Sequence, residues 1–177
     1  TEQRGLLNLR TTPDAMPTLL EKKNVDMLTG LKIFTKAELE SRYEIMMENY
    51  VKTVTIEAQT MLDMTRKEIL PAVAGYTKEL TETLAAKRTI LPSLPVKYET
   101  GTITKLSSLL DQIDAAADEL EKTTLQIKAI DSVTESAFQI RDAMLPRMAA
   151  LRVVCDEAEP LTAERFWPFP TYDKLLF

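Results

Sequence analysis

One unusually long apolar stripe constrains this chain more than any other feature. From Leu39 to Leu84, apolar and aromatic side chains recur at steps of three or four residues, which is the spacing of one face of a helix. No glycine falls in the stripe before Gly75. The pattern predicts helix from Thr35 to about Arg88, on the order of 80 Å long if it is a single rod. Five stripe positions are predicted core residues: Tyr43, Met46, Tyr50, Met61 and Ile69.

Local signals mark where this helix begins and where it bends. The sequence TKAE, from Thr35 to Glu38, is a capping box, in which each residue bonds the backbone amide of the other. Pro71 removes one helical hydrogen bond and crowds the preceding turn, so we predict a kink there. Pro146 predicts a second kink in a later helix.

Two shorter stripes complete the predicted bundle. One runs from Ile103 to Ile127, and the other from Val133 to Cys155. The segment Thr89–Gly101, with Pro92 and Pro95, is predicted to be the loop at which the chain reverses. The expected fold class is all-α: an elongated helical bundle of one long proline-kinked helix and two shorter antiparallel helices.

The same signals divide the chain into three parts. Residues 1–34 read as a linker with short helices, because Pro13 and Pro17 break the pattern. Residues 35–160 form the predicted bundle, and residues 161–177 an irregular aromatic tail. The first residue is Thr1 rather than an initiator methionine, so we expect a piece of a longer protein or a processed chain.

Composition excludes several classes of protein. With 45% hydrophobic residues, 28% charged residues and four glycines, neither disorder nor a turn-rich β-sandwich is expected. The net charge of −5, without a basic cluster, argues against nucleic-acid binding. A single cysteine cannot form an intrachain disulfide, which fits the cytoplasm. No apolar run is long enough for a membrane span, and no signal peptide is recognisable.

Residues that could carry chemistry are few. The chain has no histidine, and its glycines lie too far apart for a phosphate-binding loop. Cys155 continues an apolar stripe and lies beside Asp156 and Glu157, so we predict a structural thiol with a raised pKa. Metal binding is a weaker interpretation than a solvated helix face for five carboxylates: Glu38, Glu40, Glu44, Glu48 and Glu57. We therefore predict no catalytic, cofactor-binding or metal-binding residue here.

The last thirteen residues, RFWPFPTYDKLLF, form an apolar tail. Pro168 and Pro170 exclude a regular helix or a central strand. Such a tail must find apolar cover, on the helices, on a neighbouring domain or on another subunit. Seven residues are predicted to dock: Phe166, Trp167, Phe169, Tyr172, Leu175, Leu176 and Phe177.

Four ordered segments carry a resemblance to a known family. They are RGLLNLRTTPDAMP, FTKAELESRYEIMMENYVKTVTIEAQTML, KEILPAV and FWPFPTYDKLLF. In this order they resemble the C-terminal region of type III glutamine synthetases, a large bacterial class. The resemblance covers nearly the whole chain and is weak only across Thr89–Asp131.

The resemblance implies a cytoplasmic parent enzyme that makes glutamine from glutamate, ammonia and ATP with Mg²⁺ or Mn²⁺. Its catalytic β-sheet domain, with histidine and carboxylate metal ligands, would lie upstream of Thr1. The implied role of this segment is structural, and its implied partners are that domain and neighbouring subunits of a homo-oligomer, a dodecamer of stacked hexamers. No catalytic residue of the family matches a position here.

Two alternatives stay open. The chain could be a free-standing helical adaptor that binds partner helices through its methionine-rich or aromatic surface. It could also be an enzyme in its own right, which would require turnover by the segment alone.

Overall fold

The computed structural model describes residues 4, 5, 7–170 and 174. Helices account for the regular structure of this part of the chain, and none of its residues lies in a β-strand, so the all-α prediction is confirmed. Between residues 7 and 170, seven α-helices are accompanied by 3₁₀ turns at Met16–Leu20 and Glu159–Leu161 and by π-helical turns at Thr65–Ile69 and Ile140–Met144. The α-helices are α1 (Thr12–Ala15), α2 (Lys22–Gly30), α3 (Lys36–Met64), α4 (Leu70–Ile90), α5 (Lys97–Lys128), α6 (Val133–Gln139) and α7 (Leu145–Ala158).

The start of α3 confirms the predicted capping box. The amide of Thr35 donates to Oε2 of Glu38 at 2.7 Å, and the amide of Glu38 donates to Oγ1 of Thr35 at 3.2 Å. Two amides that have no helical partner are thereby satisfied. The hydrogen bonds that the amide and the hydroxyl of Thr35 donate to this carboxylate also lower the pKa of Glu38, which keeps it ionised.

Helical structure continues without a break from Lys36 to Ile90, over 55 residues. Pro71 is accommodated by the π turn at Thr65–Ile69, after which the amide of Leu70 donates to the carbonyl of Thr65. The π turn at Ile140–Met144 likewise precedes a Leu-Pro pair, Leu145 and Pro146. A π turn widens the helix where the proline ring would crowd the preceding carbonyls. The kinks at both prolines stay predictions.

The predicted loop is shorter than expected. Between α4, which ends at Ile90, and α5, which begins at Lys97, the non-helical residues are 91–96, so the loop assignment was wrong for residues 89–90 and 97–101. Gly101 lies within α5, where a glycine costs helix stability but does not end the helix. The carboxylate of Glu99 bonds Lys87 across the loop, which ties the first turn of α5 to the last turn of α4.

The chain forms two compact units, each with its own core. Unit 1 comprises residues 1–58 and 123–146, and unit 2 comprises residues 59–122 and 147–177. The earlier division into residues 1–34, 35–160 and 161–177 stays a prediction.

Unit 1 joins the lead-in and the first half of α3 to α6. The hydroxyls of Tyr43 and Thr134 lie 3.2 Å apart, and Arg141 pairs with Asp14. The guanidinium of Arg141 also lies over the ring of Phe138, 4.8 Å from its centroid. The fully buried apolar side chains of unit 1 include Pro13, Leu39, Met47, Ile140 and Met144.

Unit 2 contains α4, the first part of α5 and α7. Arg66 bonds Asp118 at 2.9 Å and Glu121 at 2.8 Å, whereas Lys87 bonds Glu99. Because the later residue of one helix pairs with the earlier residue of the other, α5 runs antiparallel to α4 here. The buried side chains of unit 2 include Val73, Leu80, Leu106, Ile113, Leu120 and Leu151.

The predicted core stripe is displaced by one residue at two places. Met46 is 48% exposed and is not a core residue; its neighbour Met47 is fully buried. Met61 is half-buried, and the adjacent Leu62 is buried. Of the remaining predicted positions, Ile69 is buried, whereas Tyr43 and Tyr50 are half-buried.

Among the described residues, no helix is both long enough and apolar enough to cross a membrane.

The two adjacent methionines should respond differently to truncation. Met47→Ala is expected to destabilise the chain by about 2–5 kcal/mol, because it leaves a cavity in the core of unit 1. Met46→Ala should change the free energy of unfolding by roughly 0.5 kcal/mol or less. Urea unfolding of the chain expressed by itself measures both, and equal losses would contradict the assignment of the core.

Acid should weaken the link between α4 and α5. Glu99 is only 5% exposed, and its hydrogen bond from Lys87 lowers its pKa from the usual 4.5. Because the pKa of Glu99 is lower in the folded state, its ionised carboxylate contributes to folding stability above the unfolded-state pKa. This contribution is lost as pH falls below about 4.5. We expect the melting temperature of the wild-type chain to fall more steeply between about pH 5 and pH 3 than that of Glu99→Gln.

Glu82→Gln is the matched control, because Glu82 of α4 faces Lys78 at 3.8 Å with both side chains exposed. Its acid profile should follow the wild type, since exposed pairs contribute little. Parallel profiles for wild type and Glu99→Gln would refute a role for the buried carboxylate.

Candidate functional site

The carboxylates that could have bound a metal are mostly engaged elsewhere or exposed. Glu38 caps α3, Glu40 faces Lys36 at 3.5 Å, and Glu48 bonds Lys52 at 2.8 Å. Glu44 and Glu57 are exposed. Within the described ranges, no three His, Cys, Asp or Glu side chains come together in a group that could hold a metal ion. These five carboxylates therefore do not form a group of metal ligands.

Cys155 lies in the core of unit 2 and is 7% exposed. Burial, together with the negative charge of Asp156, raises the pKa of its thiol to about 11, although a hydrogen bond with Thr65 acts to lower it. The direction agrees with the prediction from the sequence. A thiol with this pKa is almost entirely protonated near neutral pH and is a poor nucleophile.

The residues that come together in a distinctive way belong to the aromatic segment and to α4. Phe166 lies against Gly75, where a Cβ atom would be 3.3 Å from Cδ1 and from Cε1 of the phenyl ring. The Phe166 ring also packs on Tyr76, with 5.6 Å between centroids and an angle of 45° between planes. Gly75 therefore provides a notch in α4 in which the first aromatic residue of the tail sits. We call this contact the Gly75 notch.

Arg165 fastens the segment beside the notch. Its guanidinium pairs with the carboxylate of Glu79, one turn along α4 from Gly75. The same guanidinium lies 5.3 Å from the centroid of the Phe166 ring. Because the ion pair is largely exposed, it orients the segment more than it stabilises it.

Tyr76 connects the notch to α5. Its hydroxyl lies 3.1 Å from the hydroxyl of Tyr98. This hydrogen bond, followed by burial, raises the pKa of Tyr76 to about 12. The phenol therefore stays protonated in the physiological range, and the floor of the notch carries no charge.

A short turn continues from the notch into the prolines. The amide of Phe166 donates to the carbonyl of Ala163 at 2.8 Å, and the amide of Trp167 donates to that of Glu164 at 3.1 Å. The rings of Trp167 and Phe169 meet edge to face, 6.4 Å apart and at 83°. Both side chains are half-buried.

The structure thus places three of the seven predicted docking residues: Phe166, Trp167 and Phe169. The other four, Tyr172, Leu175, Leu176 and Phe177, lie outside the described residues. Between them, Lys174 pairs with Glu164.

Sequence reasoning did not identify the side of the contact that receives Phe166. Gly75, Tyr76 and Glu79 read only as members of a helix. The available signal was Gly75 itself, because an isolated glycine inside a helical pattern often marks a close approach of another group.

Comparison with known proteins adds a family to this geometry. Residues 1–88 match the family described as Glutamine synthetase C-terminal domain. The chain is 34% identical over 175 residues to a glutamine synthetase of Butyrivibrio fibrisolvens, an alignment that covers 99% of this chain and 25% of that protein. It is 27% identical over 183 residues to the type-3 glutamine synthetase of Dictyostelium discoideum, covering 99% and 24%.

A glutamine synthetase of Bacteroides fragilis (strain YCH46) is 25% identical over 181 residues, covering 99% of this chain and 25% of the relative. The chain therefore spans about a quarter of the length of the curated relatives that it matches. The resemblance inferred from the four sequence segments is confirmed. The chain belongs to the glutamine synthetase C-terminal domain family, in its type III class.

Proposed function

We propose that this chain is a structural and oligomerisation segment of a glutamine synthetase and carries none of its catalytic residues. The parent enzyme, in this proposal, ligates ammonia to glutamate in the cytoplasm with ATP and Mg²⁺ or Mn²⁺. In this proposal the nucleotide and metal bind to the part of the parent outside this chain. The candidate carboxylates of this chain cap a helix, pair with lysines or are exposed. Family membership favours this role over a free-standing adaptor.

The observation that carries the structural role is Phe166 in the Gly75 notch. Fully burying a phenylalanine side chain contributes roughly 1.5–3 kcal/mol, and Phe166 is half-buried, so its docking contributes about half of that against the entropy that the short segment loses. A segment anchored in this way presents Trp167 and Phe169, each half-buried, at a fixed place on unit 2. Aromatic residues in such positions are typical of protein contacts. Neighbouring subunits of a homo-oligomer, a dodecamer of stacked hexamers, are the proposed partners.

The parent protein provides the direct test of this role. Full-length protein should form γ-glutamyl hydroxamate, and the present chain alone should form none. The double variant Trp167→Ala, Phe169→Ala in the full-length protein should shift the sedimentation profile toward smaller species or lower the melting temperature.

Val153→Ala is the control, because Val153 is an apolar surface residue of unit 2 that lies on α7, outside the aromatic segment. It should leave both the sedimentation profile and the melting temperature unchanged. If the double variant sediments and melts like the wild type, the aromatic segment has no part in assembly.

The notch itself predicts a difference between two glycines. Gly75→Leu should displace Phe166, because the new side chain would occupy the place of the ring. Gly101→Leu has open space, with nothing within 4 Å of a Cβ atom, and should stabilise α5 by about 1 kcal/mol through helix propensity.

Tryptic cleavage after Arg165 measures how often the segment leaves the notch. We expect about tenfold faster cleavage in Gly75→Leu, the ratio that corresponds to roughly 1.4 kcal/mol of lost docking. Gly101→Leu should be cleaved no faster than the wild type. Equal cleavage of the two variants would show that Phe166 does not depend on the notch.

A further inference from the structure

A groove of about 560 Å³ opens on the surface of unit 1. Its apolar walls come from the 3₁₀ turn after α1 and from the first half of α3, and its polar edge comes from the first turns of α3. The residues that line it are Met16, Leu19, Glu38, Ser41, Arg42, Ile45 and Met46. We call it the α3 groove.

The apolar surface of α3 extends from the core into this groove. Ile45, Met46 and Met47 are consecutive, and a helix turns by about 100° per residue, so the three cannot all face the core. Met47 is fully buried, whereas Ile45 and Met46 are 53% and 48% exposed. Single exposed apolar residues are ordinary, but a concave patch built by two elements marks a contact site.

The two charged groups at the edge of the groove already have partners within unit 1. The carboxylate of Glu38 accepts from the amide and from the hydroxyl of Thr35, at 2.7 and 2.9 Å. The guanidinium of Arg42 lies over the ring of Phe34, 4.5 Å from its centroid. An apolar partner can therefore cover the groove without leaving a charge unpaired, whereas a charged partner would lose hydration without a free group to meet it. The groove fits an uncharged, apolar ridge.

The position of the groove indicates where that ridge comes from. The relatives are about four times as long as the part of them that this chain matches. In the proposed parent, the preceding part joins this chain at Thr1. Residues 7–10 are exposed and non-helical, and they lead into α1, which is followed directly by the 3₁₀ turn that forms one wall of the groove. The incoming chain thus reaches the structure beside the groove.

We propose that the α3 groove receives an apolar segment from the preceding part of the same polypeptide. This inference rests on the proposed function, since it requires a parent chain of which this is the C-terminal segment. The size of the groove favours an occupant within the chain over a second copy. Stable contacts between separate proteins bury at least about 1,000 Å², more than four apolar side chains provide. A covalent tether supplies an effective concentration in the millimolar range, at which a small apolar contact suffices.

Photo-crosslinking in the full-length protein tests the occupant. The crosslinker p-benzoylphenylalanine would replace Ile45 in protein assembled from equal amounts of ¹⁴N and ¹⁵N chains, and crosslinked peptides would be identified by mass spectrometry. We expect crosslinks from position 45 to the preceding part of the chain, with both peptides of each product carrying the same isotope. The matched control replaces Met27, which is as exposed as Ile45 but lies on α2 outside the groove. It should give at least about tenfold less of that product.

Three results would overturn the inference: products of mixed isotope, no product from position 45, or equal yields from positions 45 and 27. Mixed isotopes would place another subunit in the groove and would leave the proposed role in assembly standing. A full-length protein that forms no γ-glutamyl hydroxamate would instead reject the proposed parent activity, whatever the crosslinks show.

Discussion

Packing along the helical segment from Lys36 to Ile90 depends on one line of side chains that returns to the core at steps of four, four and three residues. These steps form an eleven-residue repeat, in which the average step is slightly longer than the 3.6 residues of an α-helical turn. Buried and half-buried side chains keep it from Leu39 through Met47 and Val54 to Ile69 and Leu80. Both compact units draw part of their core from this line. The capping box at Thr35 and the hydrogen bond between Lys87 and Glu99 secure the two ends of the segment.

Much of this fold is predictable from short-range physics. Apolar spacing predicted the helices, and the TKAE motif predicted the first residue of α3 to within one position, because both depend on contacts three or four residues apart. The choice between Met46 and Met47 depends on whether a given step is three or four residues. Two adjacent methionines satisfy either reading, so only the packed partner decides. The start of α5 was missed for a related reason: Pro92, Pro95 and Gly101 bracket a loop, but Glu99 pairs with Lys87, and no local pattern encodes that contact.

The docking site of the aromatic tail was also predictable only in part. The composition of the tail required apolar cover, and the prolines excluded regular structure, so a docked segment was predictable. Where it docks was not, because Gly75 and Phe166 are separated by about ninety residues and meet only through the folding of unit 2. Gly75 has a cost in helix stability that the packing of Phe166 offsets. A glycine that looks like a weakness in α4 is therefore part of a contact, and that contact gives the aromatic segment a defined position from which to meet a neighbour.

The two π turns have a consequence for how this chain tolerates changes of length. Each holds one residue more than a regular turn, so an ordinary α-helix over the same residues would rotate everything downstream by about 100°. At Thr65–Ile69 the rotation would carry Val73, Tyr76 and Leu80 out of the core and turn Gly75 away from Phe166. An apparent irregularity of the backbone thus keeps the phase of the helix that follows it. Deleting one residue at either turn would instead restore an ordinary α-helix in the same phase, so a deletion that would misalign the core elsewhere along these helices can be absorbed there.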